Sequence, residues 1–291
     1  MDDEEDEHEK WTKEREKVLD EWSEIELKGR EALTADVTHE PGSSEGLVAS
    51  EATLEELYPL LELQKPVEAI SALDKIIQIC LCRPSRTQMP PLGYTHKSLL
   101  LKLSHVPYDD NNGTHWLLLS DYFKIISQIA LDTPNTPCPR VGSHWQIVGF
   151  QGNNPATDFR GCGILALLQL HSFTQKLPHN ILQSIVQLSR TEPNDFPLAV
   201  VSINMTGLIL AKLKKDSLDQ LANPLNGLYS TISSLHAACL AQFCGKYKSQ
   251  NASLAACQTI INDIDALLEK SPTSLLRLLE PNNDVLIKQL L

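Results

Sequence analysis

The stretch Trp145–Leu170, WQIVGFQGNNPATDFRGCGILALLQL, decides how the rest of the chain is read. Its first half, Gly149 to Phe159, is crowded with turn formers: Gly149, Gly152, Asn153, Asn154 and Pro155. From Gly163 onward it is an apolar run with leucines at 165, 167, 168 and 170, long enough for a buried helix. Thr157 or Asp158 stands where the N-cap of that helix is expected. Arg160 lies at the junction between Phe159 and Gly161, where a cation near a helix N-terminus costs a few tenths to about 1 kcal/mol. Arg160 is therefore either held there by a carboxylate or kept there for a task.

Working outward, the flanks carry helical patterns and no strand ladder. Upstream, Trp116, Leu119, Tyr122, Phe123, Ile126 and Ile129 recur at helical intervals, and Thr133–Pro139 ends that helix in a Pro-rich loop. Tyr94–His105 is open to a helix or a short strand. Downstream, helices are expected over 178–188, 198–213, 228–247 and 251–270, followed by an amphipathic tail from Ser274. The β-branched cluster at 200–203 resembles a strand, but a strongly apolar stretch of sixteen residues over 198–213, with Lys212, Lys214 and Lys215 at its end, fits a buried helix better. Further upstream, residues 51–82 again show helical spacing. The chain thus reads as all-α, a multi-helix globular domain.

Charge is unevenly placed. The formal net charge is −12, yet residues 1–40 hold 16 acidic and 6 basic side chains. The remainder is nearly neutral, which argues against nucleic-acid binding. Trp11, Val18, Trp22 and Ile25 share one helical face in this acidic segment, and a Gly/Ser/Pro-rich linker follows at 38–50. The expected organisation is an acidic, partly disordered extension and linker over 1–50, a helical part over 51–114 packing on the main domain, and the main domain over 115–285. No apolar run of about 18 residues and no signal-peptide start are found. A cytoplasmic protein is expected, with idle sequons at Asn112, Asn204 and Asn251.

Seven cysteines without a secretory context read as reduced and buried. Neither Cys80-x-Cys82 nor Cys239-x4-Cys244-x12-Cys257 with His236 has zinc spacing, so no metal site is expected. No phosphate loop follows Gly161 and Gly163, since no Gly-Lys-Ser/Thr is present.

The central pattern, Trp145-x3-Gly149-Phe150-Gln151-x3-Pro155-x-Thr157-Asp158-Phe159-Arg160-Gly161-x-Gly163, resembles the signature of the ELMO-domain (engulfment and cell motility) family, in particular its short ELMO-domain-containing members. Phe196–Thr206, FPLAVVSINMT, resembles the same family, and the likeness covers roughly residues 115–285. The resemblance implies a GTPase-activating protein for Arf or Arf-like GTPases in their GTP-bound form. Arg160 would then be the catalytic arginine finger, with no cofactor in this chain. Gln151, Asn153, Asn154 and Asp158 would face the partner. Trp145, Gly149, Phe150, Pro155, Thr157, Phe159, Gly161 and Gly163 would shape the loop. Membrane or cytoskeletal recruitment would come through partners. The alternative is a non-catalytic ELMO-type adaptor binding a small GTPase or cytoskeletal regulator. From the residues alone, Arg160 could equally brace the loop against Asp158, and Gln151 could cap backbone groups.

Overall fold

The computed structural model describes residues 89–133, 137–222, 228–280 and 285–291. The acidic extension, its tryptophan face, the first expected domain boundary and the Cys80/Cys82 pair lie outside the described residues. Ten α-helices and four short 3-10 helices make up the described chain, which contains no strand. In order, α1 is Pro91–Leu103, α2 Gly113–Leu131, α3 His144–Ile147, α4 Gly163–Lys176, α5 His179–Leu188, α6 Leu198–Lys214, α7 Tyr229–Ser249, α8 Cys257–Lys270, α9 Pro272–Leu276 and α10 Val285–Leu290. The boundary expected at 114/115 falls within the first turn of α2.

The apolar run of the deciding stretch becomes the centre of the domain. Every residue of α4 from Gly163 to Thr174 is buried, with α2, α6 and α7 packed around it. A helix apolar on all sides has to be covered on all sides. α7 supplies part of that cover with Ala237, Ala238 and Ala241, whose small side chains allow close approach. α5 and α8 instead keep one wet face. α8 buries Cys257, Ile260, Ile261, Ile264 and Leu268 at helical spacing and leaves its acids outside.

Those acids hold the C-terminal half of α6. Lys212 is buried, and its Nζ lies 2.9 Å from Asp265 and 2.7 Å from Glu269, one turn apart on α8. Burial alone favours the neutral amine, but hydrogen bonds to Glu269 and Asp265 outweigh it and hold the ammonium above the usual lysine range.

Side chains meet helix starts in this domain from near and from far along the chain. α2 carries its own cap: Asn112 Oδ1 accepts from the Thr114 and His115 amides at 2.9 and 3.2 Å. α7 has no such residue, and His96 of α1 supplies the acceptor from far along the chain. Its Nδ1 takes the Leu228 and Tyr229 amides, each at 3.1 Å. The segment left open between helix and strand is α1, begun by Pro91, whose fixed φ suits a first helical position.

Candidate functional site

The turn-rich half of the deciding stretch runs from α3 to the start of α4, and its backbone is pinned at both ends. Gly149 has φ +89°, and its carbonyl accepts from the Ala199 and Val200 amides at 3.0 and 3.2 Å. These are the second and third residues of α6, so a main-chain carbonyl does what a capping side chain does elsewhere. A Cβ at Gly149 would come within 2.4 Å of the Leu198 nitrogen. Gly163, with φ +53°, sits likewise against the carbonyls of Leu103, Ser104 and Val106. The Ile164 amide donates to Val106 O at 2.8 Å, opening α4 against the chain that leaves α1.

Between these pins the loop folds as a 3-10 helix, Pro155–Gly161. Asn154 caps it, with Oδ1 accepting from the Ala156 amide at 3.0 Å. The expected capping of the long helix by Thr157 or Asp158 is thus corrected: both lie inside the 3-10 helix, and α4 starts at Gly163 with no side-chain cap. Arg160 accordingly stands in the last turn of the 3-10 helix, where a cation complements the helix dipole.

Asp158 is only 7% exposed, and both its oxygens are occupied from within the loop. Oδ2 accepts from the Gln151 amide and Oδ1 from the Thr157 hydroxyl, both at 3.0 Å. Burial raises its carboxyl above the ordinary aspartate value, against the two hydrogen bonds and the field of Arg160, which lower it. Arg160 itself is exposed and makes no ion pair or hydrogen bond among the described residues. Asn153 is exposed, while Gln151 and Asn154 are half-buried. Asn153 O accepts from the Gly142 amide at 2.8 Å, fastening the rim of the loop to the segment before α3.

Under the rim lies a cluster of aromatic rings packed edge to face. Trp145 is fully buried, with Phe123 5.0 Å and Phe150 5.6 Å from it between ring centroids, and Phe150 meets Phe159 at 5.7 Å. Pro155 is buried beside them in the 3-10 helix. Three residues outside the sequence-derived set complete the site. Tyr122 Oη donates to Val148 O at 2.8 Å. Arg140 O accepts from Trp145 Nε1 at 3.1 Å, and the Arg140 guanidinium lies 4.2 Å above the Trp116 ring. Gly142 ties down Asn153. Tyr122 was legible only as a core position on α2; Arg140, in a Pro-rich loop, carries no pattern that marks it.

The site holds no nucleophile paired with a base. Among the described residues no cluster of His, Cys, Asp and Glu could hold a metal ion, and Cys239, Cys244 and Cys257 are free thiols in the apolar core. No helix of the described residues is long and apolar enough to cross a membrane. The arrangement is a rigid, polar-rimmed loop seated on aromatic rings, with one exposed cation.

The profile of the ELMO/CED-12 family matches residues 98–261, more than half of the chain and all of this site. The chain is 30% identical over 185 residues to ELMO domain-containing protein 3 of Mus musculus, covering 63% of this chain and 47% of that protein. It is 29% identical over 187 residues to the Homo sapiens protein of that name, with the same shares. It is 32% identical over 132 residues to ELMO domain-containing protein 1 of Pongo abelii, covering 44% and 35%. The chain spans about half the length or less of these relatives. No solved structure matches it.

These matches correct the expected activity. They carry the ELMO/CED-12 domain identity and neither a GTPase-activating reaction nor an Arf-family partner. The arginine-finger role of Arg160 and the Arf or Arf-like GTPase as its substrate therefore do not stand. Asp158 and the backbone of Gln151 are spent on holding the loop, which leaves Arg160 as a surface cation. The fold, the braced loop and the span of the profile converge, and the chain belongs to the ELMO/CED-12 family.

Proposed function

We propose that the chain is a non-catalytic ELMO-type adaptor that docks a small GTPase or a cytoskeletal regulator on the rim formed by Gln151, Asn153, Asn154 and Arg160. The observation that carries this reading is Arg160: exposed, without an ion pair among the described residues, and placed on a loop braced from beneath by Asp158. A preorganised surface loses little conformational freedom on binding, which is how a modest patch becomes selective. An arginine flanked by amide side chains, on a loop whose base is aromatic, has the composition of an interface centre. Asp158 acts here as the brace, and Trp145, Phe150, Phe159 and Pro155 as the seat. The adaptor acts in the cytoplasm and reaches membranes or the cytoskeleton through its partners.

The test is binding of the full chain to a panel of small GTPases, each loaded with GDP or a non-hydrolysable GTP analogue, with hydrolysis rates followed in parallel. Binding to a subset, weakened about tenfold or more by Arg160→Glu at unchanged melting temperature, is expected, with turnover of the bound GTPase unaltered. Binding that ignores Arg160→Glu removes the rim from the interface.

A further inference from the structure

Three polar side chains in the centre of the domain carry hydrogen-bonding atoms that no described residue satisfies. Gln169 on α4 is fully buried, and neither its Oε1 nor its Nε2 has a partner among the described residues. On α7, the buried Ser233 hydroxyl and His236 Nδ1 are in the same position. Such groups forfeit the bonds they make in the unfolded chain, and buried polar atoms of native domains are nearly always paired. On the α6 side the need is met. His236 Nε2 donates to Ser202 O at 3.0 Å, and the Thr206 hydroxyl donates to the same carbonyl at 3.4 Å. A carbonyl only accepts, so Nε2 carries the ring proton and Nδ1 is left as a lone pair. Burial pushes this imidazole down to about 4, which keeps the ring neutral at neutral pH and Nδ1 in want of a donor.

The three groups stand near one level of the core. α4 and α7 both start on α1: Gly163 lies against the Leu103 and Ser104 carbonyls, and the Leu228 and Tyr229 amides bond to His96. The two helices meet again where Phe173 and His236 lie 6.2 Å apart between ring centroids, ten and seven residues in, so they run side by side in one direction. Gln169 is one turn before Phe173 on the same face of α4, and Ser233 is one turn before His236 on the same face of α7. Ala166 and Ala237 are small neighbours along those faces, which keeps side-chain bulk low there. We propose that ordered water is built into the core between α4 and α7, bridging the Gln169 amide, the Ser233 hydroxyl and Nδ1 of His236. Water suits the site because the set asks for both senses of hydrogen bond. Nδ1 and Gln169 Oε1 need donors, Gln169 Nε2 needs acceptors, and the Ser233 hydroxyl takes either role. An ion of one sign would serve only half of them. Buried waters typically make about three hydrogen bonds to otherwise unsatisfied groups, and this seam offers three partners. The bridge keys the central helix to α7 at one level.

The test is a crystal structure of the full chain at a resolution that shows ordered solvent. Density for at least one water is expected within about 3 Å of a Gln169 amide atom and of Ser233 Oγ or His236 Nδ1. A Gln169 amide bonded directly to Ser233 or to a backbone group, with no water between α4 and α7, overturns the proposal. A solution measurement runs in parallel: oxygen-17 relaxation dispersion counts the waters that stay in the protein for longer than it tumbles. Gln169→Met combined with Ser233→Ala should remove at least one water from that count, and an unchanged count overturns the proposal. Gln169→Met alone should lower the melting temperature, because the bridging water loses a partner. In a dry core the same change removes an unsatisfied amide and raises the melting temperature, and such a rise also counts against the water. Should the variants fail to fold, the density at Gln169 in the unaltered chain decides by itself.

Discussion

Gly149 and Gly163 stand in the same motif as Gly152 and Gly161, yet the two pairs obey different constraints. The first pair occupies left-handed backbone and presses against main-chain atoms of other elements, so the glycine hydrogen is what lets α6 and α4 begin where they do. The second pair faces open space in ordinary conformations. The motif is therefore two things superimposed: a device that positions helices, and a surface that is left bare. Substitutions at each position separate them.

The largest effect is expected at Gly149→Ala. Its Cβ would collide with the backbone of Leu198 and Ala199, which cannot yield without moving α6, so a loss of about 3 kcal/mol or more is expected in urea unfolding. Gly163→Ala should follow at about 2–3 kcal/mol, combining left-handed strain with three crowded carbonyls. If either variant keeps wild-type stability, the helix-positioning half of the comparison breaks.

Tyr122→Phe sharpens the same half from a different side. It removes the donor to Val148 O, next to the carbonyl that caps α6, and leaves a buried acceptor without its partner. A loss of about 1–2 kcal/mol is expected by thermal or chemical denaturation. A change within about 0.3 kcal/mol would show that Val148 O finds another donor at little cost.

Asp158 tests the brace through pH. Its carboxyl titrates above its unfolded value near 3.8, so the folded chain binds its proton more tightly than the unfolded chain. The stabilisation from this group is fully present below the unfolded value and is lost as pH rises through the folded one. The stability of the wild type relative to Asp158→Asn should therefore decline as pH is raised from about 4 toward neutrality, read as the difference in urea midpoints. A difference that grows with pH would mean that the hydrogen bonds from Gln151 and Thr157 outweigh burial.

The smallest effect is expected where the surface half of the motif lies. Gly152→Ala and Gly161→Ala should leave stability unchanged or raise it by up to about 1 kcal/mol, because alanine restricts the unfolded chain and meets no obstacle in the folded one. A clear loss in either would return that glycine to the structural pair.

The fold was largely written in periodicity. Trp116 to Ile129 marks α2, the leucines of 165–170 mark the buried α4, and the lysines at 212–215 end α6 on the expected side of the strand-or-helix question. The turn-rich character of the loop was legible in its residues, and its bonds were not. The helix expected to be capped by Thr157 or Asp158 starts instead on Val106 O, and α6 starts on Gly149 O, pairs remote in sequence that no local pattern encodes. Asn112, read only as an idle sequon, turns out to cap α2. The burial of Asp158 could not be inferred either, since its two donors, the Gln151 amide and the Thr157 hydroxyl, converge only once the 3-10 helix has formed.

The carbonyl caps have a consequence for divergence. Every residue type offers the same C=O, so the acceptor at Val106 survives almost any substitution there that leaves the backbone in place. The restriction falls on the opposite member of each contact, where a glycine has to remain a glycine. A domain joined in this way can exchange most side chains along its helix starts and keep its helices in register, with its memory of shape stored at a few positions that have no side chain at all.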